Sequence, residues 1–101
     1  MESILKDKSY LFALRIVKLY KYLNKQHNEY TLSKQILRSG TSIGALVREA
    51  QYAQSAKDFI NKLSIALQEA NESEYWVMLL KDSDLITKKC TIAYSQITKN
   101  L

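Results

Sequence analysis

Residues that commonly carry out catalysis are sparse in this sequence. The 101-residue chain has one His, His27, and one Cys, Cys90. A di-iron helical bundle needs two Glu-x-x-His motifs, whereas the residue three before His27 is Asn24, and a lone His argues against a Ser-His-Asp triad. Neither Gly lies in a Gly-rich turn between a strand and a helix, so no phosphate-binding loop is expected. The sequence therefore predicts a non-enzymatic protein without a metal or cofactor site.

Cys90 and a group of three glutamates could be read as reactive groups, but each has a simpler structural interpretation. Cys90 falls at an apolar helical position, which is typical of a small buried hydrophobic residue. Glu69, Glu72 and Glu74 are close in sequence but point to different faces of one predicted helix. That arrangement is typical of a solvated or salt-bridged surface and not of paired catalytic carboxylates.

Positive charge is the chemical property that stands out. Fifteen Lys and Arg face ten Asp and Glu, which gives a net charge of +5. Residues 1–30 hold six basic and three acidic residues, whereas residues 55–81 hold three and four. A basic first half is suited to an anionic partner such as RNA or DNA.

Five basic residues are candidates for contacting a phosphate backbone through sequence-independent charge. Three share the polar face of the first predicted helix and two lie in the second: Lys18, Lys21, Lys25, Lys34 and Arg48. The alternative is a solvated lysine face that only keeps the protein in solution. The sequence has no helix-turn-helix signature, no zinc finger and no aromatic single-strand motif, so it does not decide between the two.

The elements that must position these residues are helical. The chain has no Pro and two Gly, which argues against an all-β fold with many tight turns. Apolar spacing of three and four residues predicts an all-α single domain over residues 1–101, with helices at about 3–25, 31–52, 56–81 and 84–100. Residues 26–30 are polar and are predicted to form a loop.

Helix starts can be predicted from capping residues. Thr31 and Ser83 are the expected N-caps of the second and fourth helices. Ser55 followed by Asp58 resembles a capping box at the start of the third, with Asp in place of Glu.

Both glycines lie in the second predicted helix, in a run of small residues. Gly40 and Gly44 cost about 1 kcal/mol each relative to Ala inside a helix, which favours a role in close helix packing. The alternative is a break near Gly40, with Thr41 or Ser42 capping a new helix.

Several charged residues border apolar stripes and need partners or access to water. We expect a polar network between helices or subunits that joins Arg15 or Arg38 to Glu49 or Glu69, with Ser42 on the same face as Arg38 and Glu49. The alternative is that the long side chains reach solvent separately.

The apolar surfaces of the first and third predicted helices are too wide for a small monomer to cover, so another subunit is expected. No segment approaches the ~20 apolar residues that a membrane helix needs. The N-terminus lacks the features of a signal peptide, and a single Cys fits a reducing compartment, so a cytoplasmic protein without membrane contact is expected.

One run of residues resembles a known family. The stretch 35–45 reads QILRSGTSIGA, and it is followed by Glu49-Ala50, Ser55, Asp58-Phe59-Ile60, Glu69-Ala70 and Tyr75-Trp76. This pattern is similar to the hallmark of the four-helix-bundle proteins encoded in 23S ribosomal RNA intervening sequences, which are related to the accessory protein of diversity-generating retroelements.

The resemblance implies an antiparallel up-down-up-down four-helix bundle assembled as a ring-shaped homopentamer. It also implies a basic surface that binds RNA or DNA. The alternative function is a protein–protein scaffold or accessory factor, for example for a reverse transcriptase. Leu46 departs from the Asn that is common in the family after Gly-Ala.

Overall fold

Three long helices make up most of the protein. The structure, a computed structural model, describes residues 2–91, and side chains from residue 4 onward. It contains α1 (Glu2–His27), α2 (Leu32–Gln51) and α3 (Ala56–Asp82), followed by a helical turn at residues 88–91. The described part of the chain is helical and has no strand, which confirms the predicted all-helical fold. None of these helices is both long and apolar enough to cross a membrane.

The helices lie close to their predicted bounds, with differences at the ends. α1 continues to His27, so part of the predicted loop at 26–30 is helical. α2 runs through Gly40 without interruption, so the alternative of a break there is wrong. The predicted helix 84–100 lies mostly outside the described residues, and its described start is the turn at 88–91.

The predicted apolar stripe of α1 forms the centre of the core. Phe12, Ile16, Leu19 and Leu23 are all buried. α1 and α3 each pack against α2, which contributes Ile36, Ile43 and Val47 among others. Leu46, which departs from the Asn common in the family that the sequence resembles, packs against this core.

Contacts between α1 and α2 run in opposite directions along the two helices. The Ser33 hydroxyl donates to the Asn24 side-chain oxygen at 2.9 Å, near the ends joined by the connecting loop. A Cβ added at Gly40 would lie only 2.6 Å from a side-chain carbon of Ile16. At Gly44 the nearest atom would be the Ser9 carbonyl oxygen, at 3.4 Å. Gly40 is therefore required for the close approach of the helices, as predicted, whereas Gly44 has room for a methyl group.

Of the three predicted caps, Ser55 is present, Thr31 holds the N-cap position without a side-chain bond, and Ser83 is wrong. The Thr31 side chain makes no capping bond; the Glu29 carboxylate instead accepts the amides of Thr31, Leu32 and Ser33 at 2.8–3.1 Å. A longer acidic side chain reaches three free amides at once and suits the positive end of the helix. The Ser55 hydroxyl accepts from the Asp58 amide at 3.1 Å, as expected.

Ser83 is not an N-cap. It follows the last turn of α3 and its amide donates to the Leu79 carbonyl. The next helical turn is capped by Thr87, whose hydroxyl accepts from the Cys90 amide at 3.2 Å. Asp84, between them, has a positive φ of 62°, so the chain changes direction here before helical structure resumes.

Candidate nucleic-acid interface

The basic face of α1 lies on its outer side, opposite the core. Lys18, Lys21 and Lys25 are all exposed, because burial of Leu19 and Leu23 turns them outward. None of the ion pairs among residues 4–91 includes these three lysines. Within the described residues, the C-terminal half of α1 therefore presents three exposed lysines that form no ion pair.

The two α2 candidates lie at opposite ends of that helix. Lys34 is exposed in its first turn, beside the loop that follows the basic end of α1. Arg48 is fourteen residues further along α2, roughly 21 Å away by helical rise. It borders a surface depression with Glu49 and Asp58. Arg48 therefore does not join the face formed by the three lysines, since α2 carries it to the other end of the molecule.

The fold adds residues to the basic face that the sequence pattern did not indicate. The segment after α3 returns to the C-terminal half of α1, where Ile86, Thr87 and Cys90 border a depression with Lys18 and Tyr22. A neighbouring groove brings Lys88 to the same end as Tyr22 and His27. The amino-acid sequence carried no signal for this contact, because the residues are about 65 positions apart.

The polar network lies on another face, between α2 and α3. Arg38 donates to Glu69 at 2.8 Å and also bonds to Glu72. Glu72 in addition accepts from the Trp76 indole N–H at 3.0 Å. Glu72, which was predicted to lie on a solvated or salt-bridged surface, is salt-bridged to Arg38 and also links the guanidinium to the aromatic ring.

The other residues of the predicted network, Glu49, Ser42 and Arg15, do not join the contact between Arg38 and Glu69. Glu49 pairs with Lys62 at 3.2 Å and not with an arginine, because α2 carries it eleven residues beyond Arg38 to the start of α3. The Ser42 hydroxyl donates to the Arg38 backbone carbonyl at 2.5 Å, which keeps it within its own helix. Arg15 lies on α1, where its positive charge acts on Cys90.

Cys90 is half-buried and packs against the core. Burial raises the pKa of its thiol, and the nearby Arg15 charge offsets only part of that rise. The thiol is therefore protonated at neutral pH, which does not suit a nucleophile. Within residues 4–91 no group of three His, Cys, Asp or Glu side chains is arranged to hold a metal ion.

Comparison with known proteins places the chain in a family. The family model described as 23S rRNA-intervening sequence protein matches residues 1–101. The chain belongs to this family. No curated protein matches it.

A solved structure of a family relative is very similar to this chain. It is the crystal structure, at 1.70 Å resolution, of a protein of unknown function from the S23 ribosomal protein family of Bacteroides thetaiotaomicron VPI-5482. The two are 54% identical with a TM-score of 0.96, and the match covers 98% of this chain and 88% of that one. The resemblance to this family is confirmed, whereas the relation to retroelement accessory proteins stays a prediction.

Proposed function

We propose that the protein is a non-enzymatic homo-oligomer that binds RNA or DNA through the basic face of α1. In this proposal the chain completes an up-down-up-down four-helix bundle, and five bundles form a ring. Lys18, Lys21 and Lys25 contact phosphates, with Lys34 and Lys88 at the edges of the same surface.

The uncompensated charge of α1 carries the proposal. The ion pairs of the described residues hold Arg38, Lys62 and Lys81, and other basic side chains such as Lys8 and Lys57 are in none of them. Lys18, Lys21 and Lys25 differ from those in following one another along one exposed helix face. Three lysines without such partners, within two turns of one helix, form a local positive field that attracts a polyanion.

Exposed apolar side chains support self-association. Leu11 and Leu14 on α1, and Ile60, Leu67 and Met78 on α3, are between 43% and 63% exposed. Leu11 and Leu14 are about one helical turn apart and Ile60 and Leu67 about two, so each pair shares a helix face, and apolar surface gathered on one face is typical of interfaces. Five chains of +5 each would together carry +25, so assembly would strengthen attraction to a nucleic acid.

The test uses two triple variants that change the net charge equally. One replaces Lys18, Lys21 and Lys25 by Gln; the control replaces Lys8, Arg48 and Lys57, which are exposed at the other end of the molecule. Binding of a fluorescein-labelled RNA hairpin is measured by anisotropy over a range of salt concentrations. We expect wild type and control to bind with strong salt dependence, and the first variant to lose affinity and about 0.7–0.9 of the log–log salt slope per phosphate contact removed.

Two outcomes would overturn the proposal. If the two variants lose affinity equally, overall charge and not the α1 face is responsible. If the wild-type protein shows no salt-sensitive binding of RNA or DNA, nucleic-acid binding is wrong and the scaffold alternative, with a protein partner such as a reverse transcriptase, is favoured.

A further inference from the structure

An open groove of about 680 Å³ lies at the end of the molecule where α1 finishes. Tyr22 and His27 of α1 form one side, and Asp84, Thr87 and Lys88 of the segment after α3 form the other. A second depression, bordered by Lys18, Leu19 and Cys90, also has Tyr22 in its lining. The Tyr22 side chain therefore lines two neighbouring open depressions.

Tyr22 is held in place while much of its ring stays accessible. Its hydroxyl lies 3.2 Å from Nε2 of His27, and the two rings pack edge to face with centroids 5.3 Å apart. The side chain is still 46% exposed. An exposed aromatic ring with a fixed position loses little conformational entropy when another flat ring stacks on it.

The groove itself is close to electrically balanced. Lys81 pairs with Asp82 at 3.2 Å, and Asp84 faces the same space as Lys88. Two carboxylates make this space unfavourable for a phosphate. A neutral base suits it better, because Thr87, Asp84 and His27 offer hydrogen-bonding groups to the edge of a base beside an aromatic ring.

Positive charge instead surrounds Tyr22 on α1. Lys18 precedes Tyr22 by four residues and Lys25 follows it by three, so both are its neighbours on the helix surface. The two lysines are roughly 10 Å apart along the helix axis. Phosphates on either side of one nucleotide could therefore contact lysines while its base turns toward the groove.

We propose that this groove binds an unpaired base of a single-stranded nucleic acid, with the base stacked on Tyr22 and the flanking phosphates on Lys18 and Lys25. The inference rests on the proposed nucleic-acid binding and adds a preference for single strands. A duplex keeps its bases stacked inside, so it can contact the lysines but cannot place a base against Tyr22.

The experiment compares two forms of one probe. The first is an oligothymidylate of about 12 nucleotides with 2-aminopurine at its centre, and the second is the same strand annealed to its complement. Affinity is measured by titration, and the 2-aminopurine fluorescence reports stacking. We expect the single strand to bind more tightly than the duplex, with the fluorescence quenched on binding.

The variants separate stacking from charge. Tyr22→Ala is expected to weaken single-strand binding by about fivefold or more and to abolish quenching, since stacking contributes about 1–3 kcal/mol per base, and to leave duplex binding unchanged. Tyr22→Phe should keep the quenching. Tyr52→Ala is the matched control, because Tyr52 is 81% exposed at the far end of α2. Circular dichroism verifies that each variant is folded.

The two proposals can fail separately. If wild type binds both probes equally, or if Tyr22→Ala weakens both equally or neither, the stacking site is wrong while charge-based binding by the lysines stands. If neither probe shows salt-sensitive binding, both proposals are wrong.

Discussion

The side chain of Arg38 shows that neighbouring helices determine whether a charged residue forms an ion pair or reaches solvent. From the sequence it could pair with a glutamate or extend into solvent, and the structure places it against two carboxylates of α3. The Glu69 side chain is only 16% exposed, so without Arg38 its carboxylate would have few hydrogen-bond partners in solvent. Lys62 and Glu49 form a comparable pair in a more open position, with Glu49 55% exposed. The two pairs join the same helices but differ in burial.

Replacing Arg38 tests that difference. We expect Arg38→Met to lower the free energy of unfolding by about 1–2 kcal/mol, because Glu69 is left partly buried without its partner. Lys62→Met should cost well under about 1 kcal/mol, since an exposed ion pair contributes little. Urea denaturation followed by circular dichroism, at one fixed protein concentration, measures both. Equal stability of the two variants would contradict the assignment.

At the scale of the element, the start of α2 is stabilised by a residue outside the helix. Glu29 lies in the loop, and its two carboxylate oxygens accept three successive backbone amides. Thr31, at the position where a cap is expected, makes no side-chain bond of this kind. The cap also fixes the start of α2, and therefore the position of Lys34 relative to the basic end of α1 in the proposed interface.

Comparing alanine variants of Glu29 and Thr31 tests which side chain caps α2. Glu29→Ala is expected to lower the stability by about 1 kcal/mol, as loss of an N-cap does, because three amides at the start of α2 lose their acceptor. Thr31→Ala should change it by less than about half of that. Thermal unfolding at constant protein concentration provides the comparison. A larger loss in Thr31→Ala would show that the hydroxyl, and not the carboxylate, caps the helix.

At the scale of the whole molecule, the outer face of α1 has two parts. Its N-terminal half exposes Leu11 and Leu14, whereas its C-terminal half exposes Lys18, Lys21 and Lys25. In the proposed assembly the apolar part packs against another chain and the basic part stays free for a nucleic acid. α3 offers a second apolar surface at Ile60 and Leu67, which allows one surface of each chain to meet a different surface of the next, as a closed ring requires.

If the proposed assembly forms, a charged residue placed in the apolar surface of α1 or of α3 should reduce the oligomer mass. Light scattering of the wild-type protein should give about five times the chain mass of 11.7 kDa. Leu11→Glu and Leu67→Glu should each reduce that mass, because an unpaired carboxylate would be buried at an apolar interface. Tyr52→Glu, at an exposed position at the end of α2, is the control and should leave the mass unchanged. A wild-type monomer would contradict the assembly.

The sequence by itself determined the helical class, the approximate bounds of α1, α2 and α3, and the buried stripe of α1. These depend on local spacing, since a period of 3.6 residues sets which side chains share a face. It also indicated Gly40 and Gly44 as packing residues, because an interior glycine is unfavourable unless a neighbour needs the space, and of the two only Gly40 lacks room for a methyl group.

Only the tertiary structure decided which distant residues meet. It placed Lys88 and Thr87 beside Tyr22, paired Glu49 with Lys62, and separated Arg48 from the lysines of α1. Helix direction and loop geometry fix such contacts, and each depends on residues far along the chain. The groove beside Tyr22 was therefore beyond any local pattern: its two sides come from segments whose approach is determined by the packing of α1 and α3 on α2.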